Sequence, residues 1–250
     1  MSRILQMTYE SAYPWSSDRL SVYLRQSEQN TFASSFNLGA GYSRLVSIQE
    51  LWIAICEAFT FTPEDELLAM WFLQQANSAW IAAIRVGLGG QPIDSRPLLR
   101  STLEYSAYAL HFTRHPEWKT VWFERHKDAA SRETATKRFS TAQVARTFTA
   151  DSPALARQYS RLYDIVVDSG GHPNELALRP RLKAADEAGV KVTQVGQLTD
   201  SPAAYIALSK LAADIGLMAL TIFGRVFETR FRLALFDERL DRLRARRKSV

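Results

Sequence analysis

The sequence predicts an all-α protein: a helical bundle with a long C-terminal helix and a short non-helical excursion, suited to a β-hairpin, around 174–198. Three observations predict it. Apolar residues recur at spacings of three and four along most of the chain, the period of a helix with one buried face. Helix-start signals recur as Thr62-Pro63, Ser95 before Pro97, Ser152-Pro153 and Ser201-Pro202, each placing a proline in a first turn where its missing N–H costs nothing. Only one stretch breaks the period. There Leu176, Leu178 and Leu182, then Val190, Val192 and Val195, flank a turn-rich Ala-Asp-Glu-Ala-Gly.

Taken in order, Ser17 or Asp18 caps a short helix to about Gln29, and Asn30 to Arg44, with Gly39 and Gly41, reads as a loop. Ser47 with Glu50 forms a capping-box pattern that opens a helix to Phe59. Thr62 caps the next, with Glu64, Asp65 and Glu66 at its positive dipole end, running to about Val86 before Gly87, Gly89 and Gly90 stop it. Asp94 or Ser95 opens a helix that Pro116 ends. A helix from Glu117 to about Thr136 follows, then a shorter one over Thr141–Phe148 and another from Ser152 to Gly170-Gly171. From Ser201 a single very long helix is expected. Leu208, Leu211, Ile215, Met218, Ile222, Val226, Thr229, Leu233, Phe236, Leu240 and Leu243 follow the spacing of a seam.

The whole of 1–250 reads as one domain. The net charge of +5 resides in its end: from Arg225 to Val250 nine basic residues face four acids, while the first 224 residues balance. The 225–250 segment is therefore a basic helix end expected to project, or to pair Leu233, Phe236, Leu240 and Leu243 with a second copy as a homodimer. Folding back against the N-terminal helix is the alternative. Cys56, the sole cysteine, rules out an intrachain disulfide or a thiolate cluster and reads as a small buried hydrophobe. Met1 to Trp15 lacks a basic start followed by an apolar stretch, which points to the cytoplasm. Leu67 to Ile84 is uncharged but carries Gln74, Gln75, Asn77 and Ser78 at its middle, so a buried helix is expected and no membrane partner.

The chemistry concentrates on one helix. Arg96, Arg100, Glu104 and Tyr108 recur every four residues and His111 follows three later, so a helix sets them on one stripe. No Lys or Asp falls between 96 and 112, so the stripe is expected to face a crevice and not open solvent. Arg100 and Glu104 can pair at i and i+4, structurally or as a grip on a small anionic ligand. His111 and His115 are spaced to share a metal with Glu104, but no paired Glu-x-x-His motif supports one, and no metal or cofactor is expected. Tyr163, Asp168 and His172 form a second cluster. The Gly170-Gly171 turn can swing His172 back as a general base positioned by Asp168, or as a cap on helix carbonyls. Gln74, Gln75, Asn77 and Trp80 are expected to hydrogen-bond toward the stripe. Gly87-Leu88-Gly89-Gly90 follows a helix and lacks the ending of a phosphate loop, and no Gly-x-Ser-x-Gly elbow exists.

Leu98-Leu99-Arg100 leading to Glu104, then Tyr163 before His172-Pro173, a short excursion and a long last helix together resemble bacterial helical proteins grouped near the HEPN superfamily, over roughly 67–227. The resemblance implies a helical bundle and, as one functional class, a metal-independent RNase or phosphoester hydrolase using Arg100, Glu104 and His172. No Arg lies four to six residues before any of the four histidines, the spacing such nucleases use. The leading expectation is therefore a protein that binds a small anionic ligand or partner at Arg96, Tyr108, His111, Tyr163 and Asp168 and self-associates. A third class is nucleic-acid binding through Arg242, Arg244, Arg246 and Arg247 in the basic end.

Overall fold

The computed structural model describes residues 16–59, 63–171, 182–187 and 190–245. Asp18 starts the first helix, α1 (Arg19–Asn37), accepting from the N–H groups of Leu20 and Ser21 at 2.9 Å. The serine hydroxyl and these amide bonds hold its carboxyl at about 2. This helix continues through Asn30–Asn37, which the sequence reads as loop. Its polar side chains dock on another helix's end instead: Ser34 Oγ lies 2.9 Å from Leu88 O, and Asn30 donates to Gly89 O at 3.4 Å. Tertiary partners outweigh weak propensity here. Gly39, at φ +49°, alone makes the turn into α2 (Ala40–Ala58), so Ser47 lies within that helix and its capping-box pattern goes unused.

Acids of a short 3₁₀ turn, Glu64–Glu66, lead into α3 (Leu67–Leu88), and a tight turn reverses the chain into α4 (Arg96–Arg114). Gly87 does not end α3. A Cβ there would stand 2.3 Å from Leu208 Cδ2, so it is the close-contact point with the later core helix. The expected single helix after Pro116 is two, α5 (Trp118–Phe123) and α6 (Ala129–Arg138). Asp128 restarts the chain by accepting from Ser131 N at 2.7 Å. Next come α7 (Thr141–Asp151) and α8 (Pro153–Val166), which share Ser152 as C-cap and N-cap. A π-type turn, Val167–Gly171, follows, with Gly170 at φ +146°. The excursion is the expected hairpin, with β1 (Leu182–Glu187) antiparallel to β2 (Val190–Val195) in the register Leu182↔Val195.

The long last helix is three. α9 (Pro202–Val226) ends at Phe227, α10 (Glu228–Leu233) turns aside, and α11 (Phe236–Ala245) returns, with Leu235 at φ +56° between them. Packing drives the break: Phe227 meets Phe59 edge-on at 5.0 Å, Phe231 lies tilted to it at 6.4 Å, and Phe231 meets Phe236 at 5.6 Å. Phe236, Leu240 and Leu243 are buried in their own chain against the bundle, with α2 and α9 as neighbours of their helix, so they do not form the expected seam for a second copy. Of that set only Leu233 is exposed, at 78%.

α9 lies at the centre, packed by α2, α3 and α4, and its small residues let the neighbours close in. Trp80 Nε1 donates to Ala212 O at 2.7 Å, and a Cβ on Gly216 would strike both Trp80 and Ile48. Among the described residues α9 is the one helix long and apolar enough to cross a membrane, and most of it is buried in the bundle.

Candidate functional site

The stripe forms as spacing predicts. From 98 to 112 no residue of α4 is exposed, because α3 and α9 cover its apolar side while α7, α8 and the π-type turn close on its polar side. Along the stripe the surroundings change from accessible to sealed, and so does the chemistry.

At the accessible end, Arg96 lies largely buried on the first turn of α4. Its Nε donates to Pro92 O at 3.2 Å, and its Nη1 donates to Ser169 Oγ, which in turn donates to Ile165 O. No carboxylate of the described residues pairs with it, and burial pushes its pKa down. Beside it lies a cavity of about 240 Å³ whose described walls come from the α3–α4 turn (Gly90–Asp94), the strand-to-helix segment Gly196–Thr199, and Ala204 and Ala207 of α9. Two backbone ties hold this wall: Thr199 N donates to Gly90 O at 2.8 Å, and Tyr205 Oη donates to Thr199 O at 2.7 Å. Gly90, at φ +105°, lacks the Cβ that would press on Asn30 and Leu198.

One turn on, Arg100 Nε donates to Glu104 Oε1 at 2.8 Å, and Tyr163 Oη of α8 donates to the same oxygen at 2.9 Å. The guanidinium also stands 5.7 Å from the Tyr163 ring centre. The pair retains 27% and 36% of its side-chain exposure, so it is half-covered and not the buried pair the sequence allowed. The Glu104 bond raises the Arg100 pKa, while burial and then the Glu104 charge raise that of Tyr163.

Tyr108 donates to Phe139 O at 3.4 Å, its ring enclosed by Phe72, Trp122 and Phe139. Burial raises its pKa, Glu104 adds to the rise, and the charges of Arg125 and Arg100 oppose it. Arg125 lies 3.9 Å over the Trp122 ring and donates to Trp122 O.

His111, expected as a ligand contact, is fully buried: Nδ1 lies 2.8 Å from Thr147 Oγ1 and Nε2 3.1 Å from Arg138 O. With Nε2–H donating to the carbonyl and Nδ1 accepting from the hydroxyl, a neutral ring is satisfied on both sides. Burial pushes its pKa down, and nothing of it faces a crevice. His115 stacks on Trp118 at 3.9 Å instead of joining Glu104. Among the described residues no group of three or more His, Cys, Asp or Glu is arranged to hold a metal.

The remaining candidates separate. Asp168 is exposed on the π-type turn, at the end of a trough along α8 that Arg157 and Arg161 also line. His172, Arg246 and Arg247 lie outside the described residues, so the expected meeting of His172 with Arg100 and Glu104 does too. Gly170 packs at the start of α4: a Cβ there would stand 2.8 Å from Ile93 Cγ2 and 3.3 Å from Arg96 Cγ. Arg242 and Arg244 are both exposed; Arg242 donates to Glu238 O at 3.3 Å, and Arg244 donates to Asp241 at 2.7 Å and to Thr221 Oγ1. Gln74 and Gln75 point to solvent rather than to the stripe, Trp80 bonds to α9, and Asn77 Oδ1 is buried without a hydrogen-bond partner.

Compared with protein-family models, curated proteins and solved structures, the chain matches none.

Proposed function

We propose that this protein is a ligand-binding helical bundle that takes a small anion in the cavity beside Arg96. One observation carries the reading. Arg96 is a partly covered cation lining a cavity, with no carboxylate partner among the described residues, whereas Arg100 one turn away has its charge matched by Glu104. A partly covered cation without a counter-charge is costly, and an arriving anion supplies one. The network behind it holds the anchor still: Ser169 and Pro92 orient the guanidinium, and Glu104 ties α4 to Tyr163 of α8.

Thermal unfolding of the full chain in acetate and in inorganic phosphate, against chloride at equal ionic strength, tests this. An anion bound by the native state raises the midpoint with the logarithm of its concentration once that exceeds Kd. The rise should vanish in Arg96→Gln. Equal midpoints in all three salts, or a rise that survives the substitution, refutes the reading.

A second reading, metal-independent cleavage of RNA or another phosphoester, has its own observation. The backbone at Gly170 packs on the Arg96 stem two residues before His172. In that reading His172 is the base and an arginine steadies the developing charge. Cleavage of single-stranded RNA in the presence of a chelator, lost in His172→Ala, would favour it. An intact substrate removes it.

A further inference from the structure

We infer that the anion this cavity takes is a small monocarboxylate with a compact apolar body, and not a phosphate ester; the inference rests on the anion-binding reading above.

Charge is the first argument. Among the described lining residues Arg96 is the one cation, and Asp94 lines the same cavity, its Oδ2 3.3 Å from Gln91 Nε2. That single positive charge is matched by the one negative charge of a monocarboxylate.

Donor geometry is the second. A guanidinium has five N–H groups, and the described contacts of Arg96 occupy one on Nε and one on Nη1. The second hydrogen of Nη1 and the two of Nη2 remain. One from each nitrogen makes the parallel fork that two carboxylate oxygens accept.

Size and lining are the third. Pro92, Ile93, Leu198, Ala204 and Ala207 give the cavity apolar walls, suited to a hydrocarbon body. At about 30 Å³ per water-sized unit, 240 Å³ holds roughly eight such units. That is room for a compact body such as a short branched acid. Ala207 lies on the exposed side of α9, so enlarging it intrudes on the cavity without disturbing the bundle core.

Calorimetric titration of the full chain with 3-methylbutanoate, its neutral amide and inorganic phosphate tests the assignment. The acid should bind saturably and the other two should not. Arg96→Lys, which keeps the charge but loses the fork, should weaken the acid at least tenfold. Ala207→Leu should weaken it similarly with its melting midpoint unchanged, and both variants should keep the wild-type far-ultraviolet spectrum. Phosphate binding without acid binding overturns the carboxylate assignment and leaves the anion reading standing. Acid binding unaffected by Ala207→Leu, or amide binding equal to the acid, overturns it as well. If no anion binds, both fall.

Discussion

A single side chain of the stripe shows how position decides role. His111 has the sequence credentials of a ligand contact, yet its two ring nitrogens are spent on Thr147 and Arg138 in a fully buried site. Burial favours the neutral ring, so its folded pKa lies below the usual value of about 6.5. A depressed pKa means that the unfolded chain takes up the proton first. The stabilisation is complete above about pH 6.5 and is lost as pH falls toward the folded value. Denaturant midpoints across pH 5–8 should show this loss in the wild type, and His111→Gln should flatten that part of the profile. A wild-type midpoint that is constant over the range contradicts it. Glu104 behaves differently. Because its pair with Arg100 is half-exposed, Glu104→Gln should cost only about 1–2 kcal/mol by urea unfolding, well short of the 3–5 kcal/mol of a fully buried pair.

At the scale of elements, one carboxylate joins three helices. Asp151, at the end of α7 and only 4% exposed, accepts from Arg114 of α4 at 2.5 Å and 2.8 Å and from Arg225 of α9 at 3.1 Å. Burial pushes its pKa up, but the two guanidiniums outweigh burial and hold it below the usual carboxylate range. Its contribution is therefore present above the unfolded value of about 3.9 and is lost as pH falls through the folded value. Asp151→Ala, which strands two arginines, should destabilise by about 3 kcal/mol in urea unfolding. The last two helices make a second case. Phe236→Asp with Leu240→Asp places charges in contacts made within one chain, so unfolding stability should fall by more than about 3 kcal/mol. An unchanged midpoint would place these side chains on a surface.

At the scale of the molecule, the C-terminal segment is part of the bundle and not an appendage. A chain ending at Val226 removes Phe227, Phe231, Phe236, Leu240 and Leu243 from their shared core, and its melting midpoint should fall steeply or its cooperative transition disappear. A midpoint within a few degrees of the full chain would return the segment to the status of a projecting tail. The stripe from Arg96 to His111, the central apolar helix, the hairpin and most helix starts were legible in the sequence alone. Each is encoded within one or two turns: a four-residue spacing sets a face, a cap with a proline sets a beginning, alternation sets a strand. The breaks after Phe123 and Phe227 were not legible. No proline or glycine lies between Phe123 and Asp128 or between Phe227 and Phe236, and aromatic contacts with residues as distant as Phe59 turn the chain at the second break. The continuation of α1 was hidden for the same reason, since Ser34 and Asn30 find their partners on α3. Only the tertiary structure decided which stripe residues are spent on neighbours and which face a cavity. Sequence spacing places Arg96 and Arg100 alike on one face. The walls that separate their fates, Gly196–Thr199 and Glu104 with Tyr163, arrive from other parts of the chain through packing.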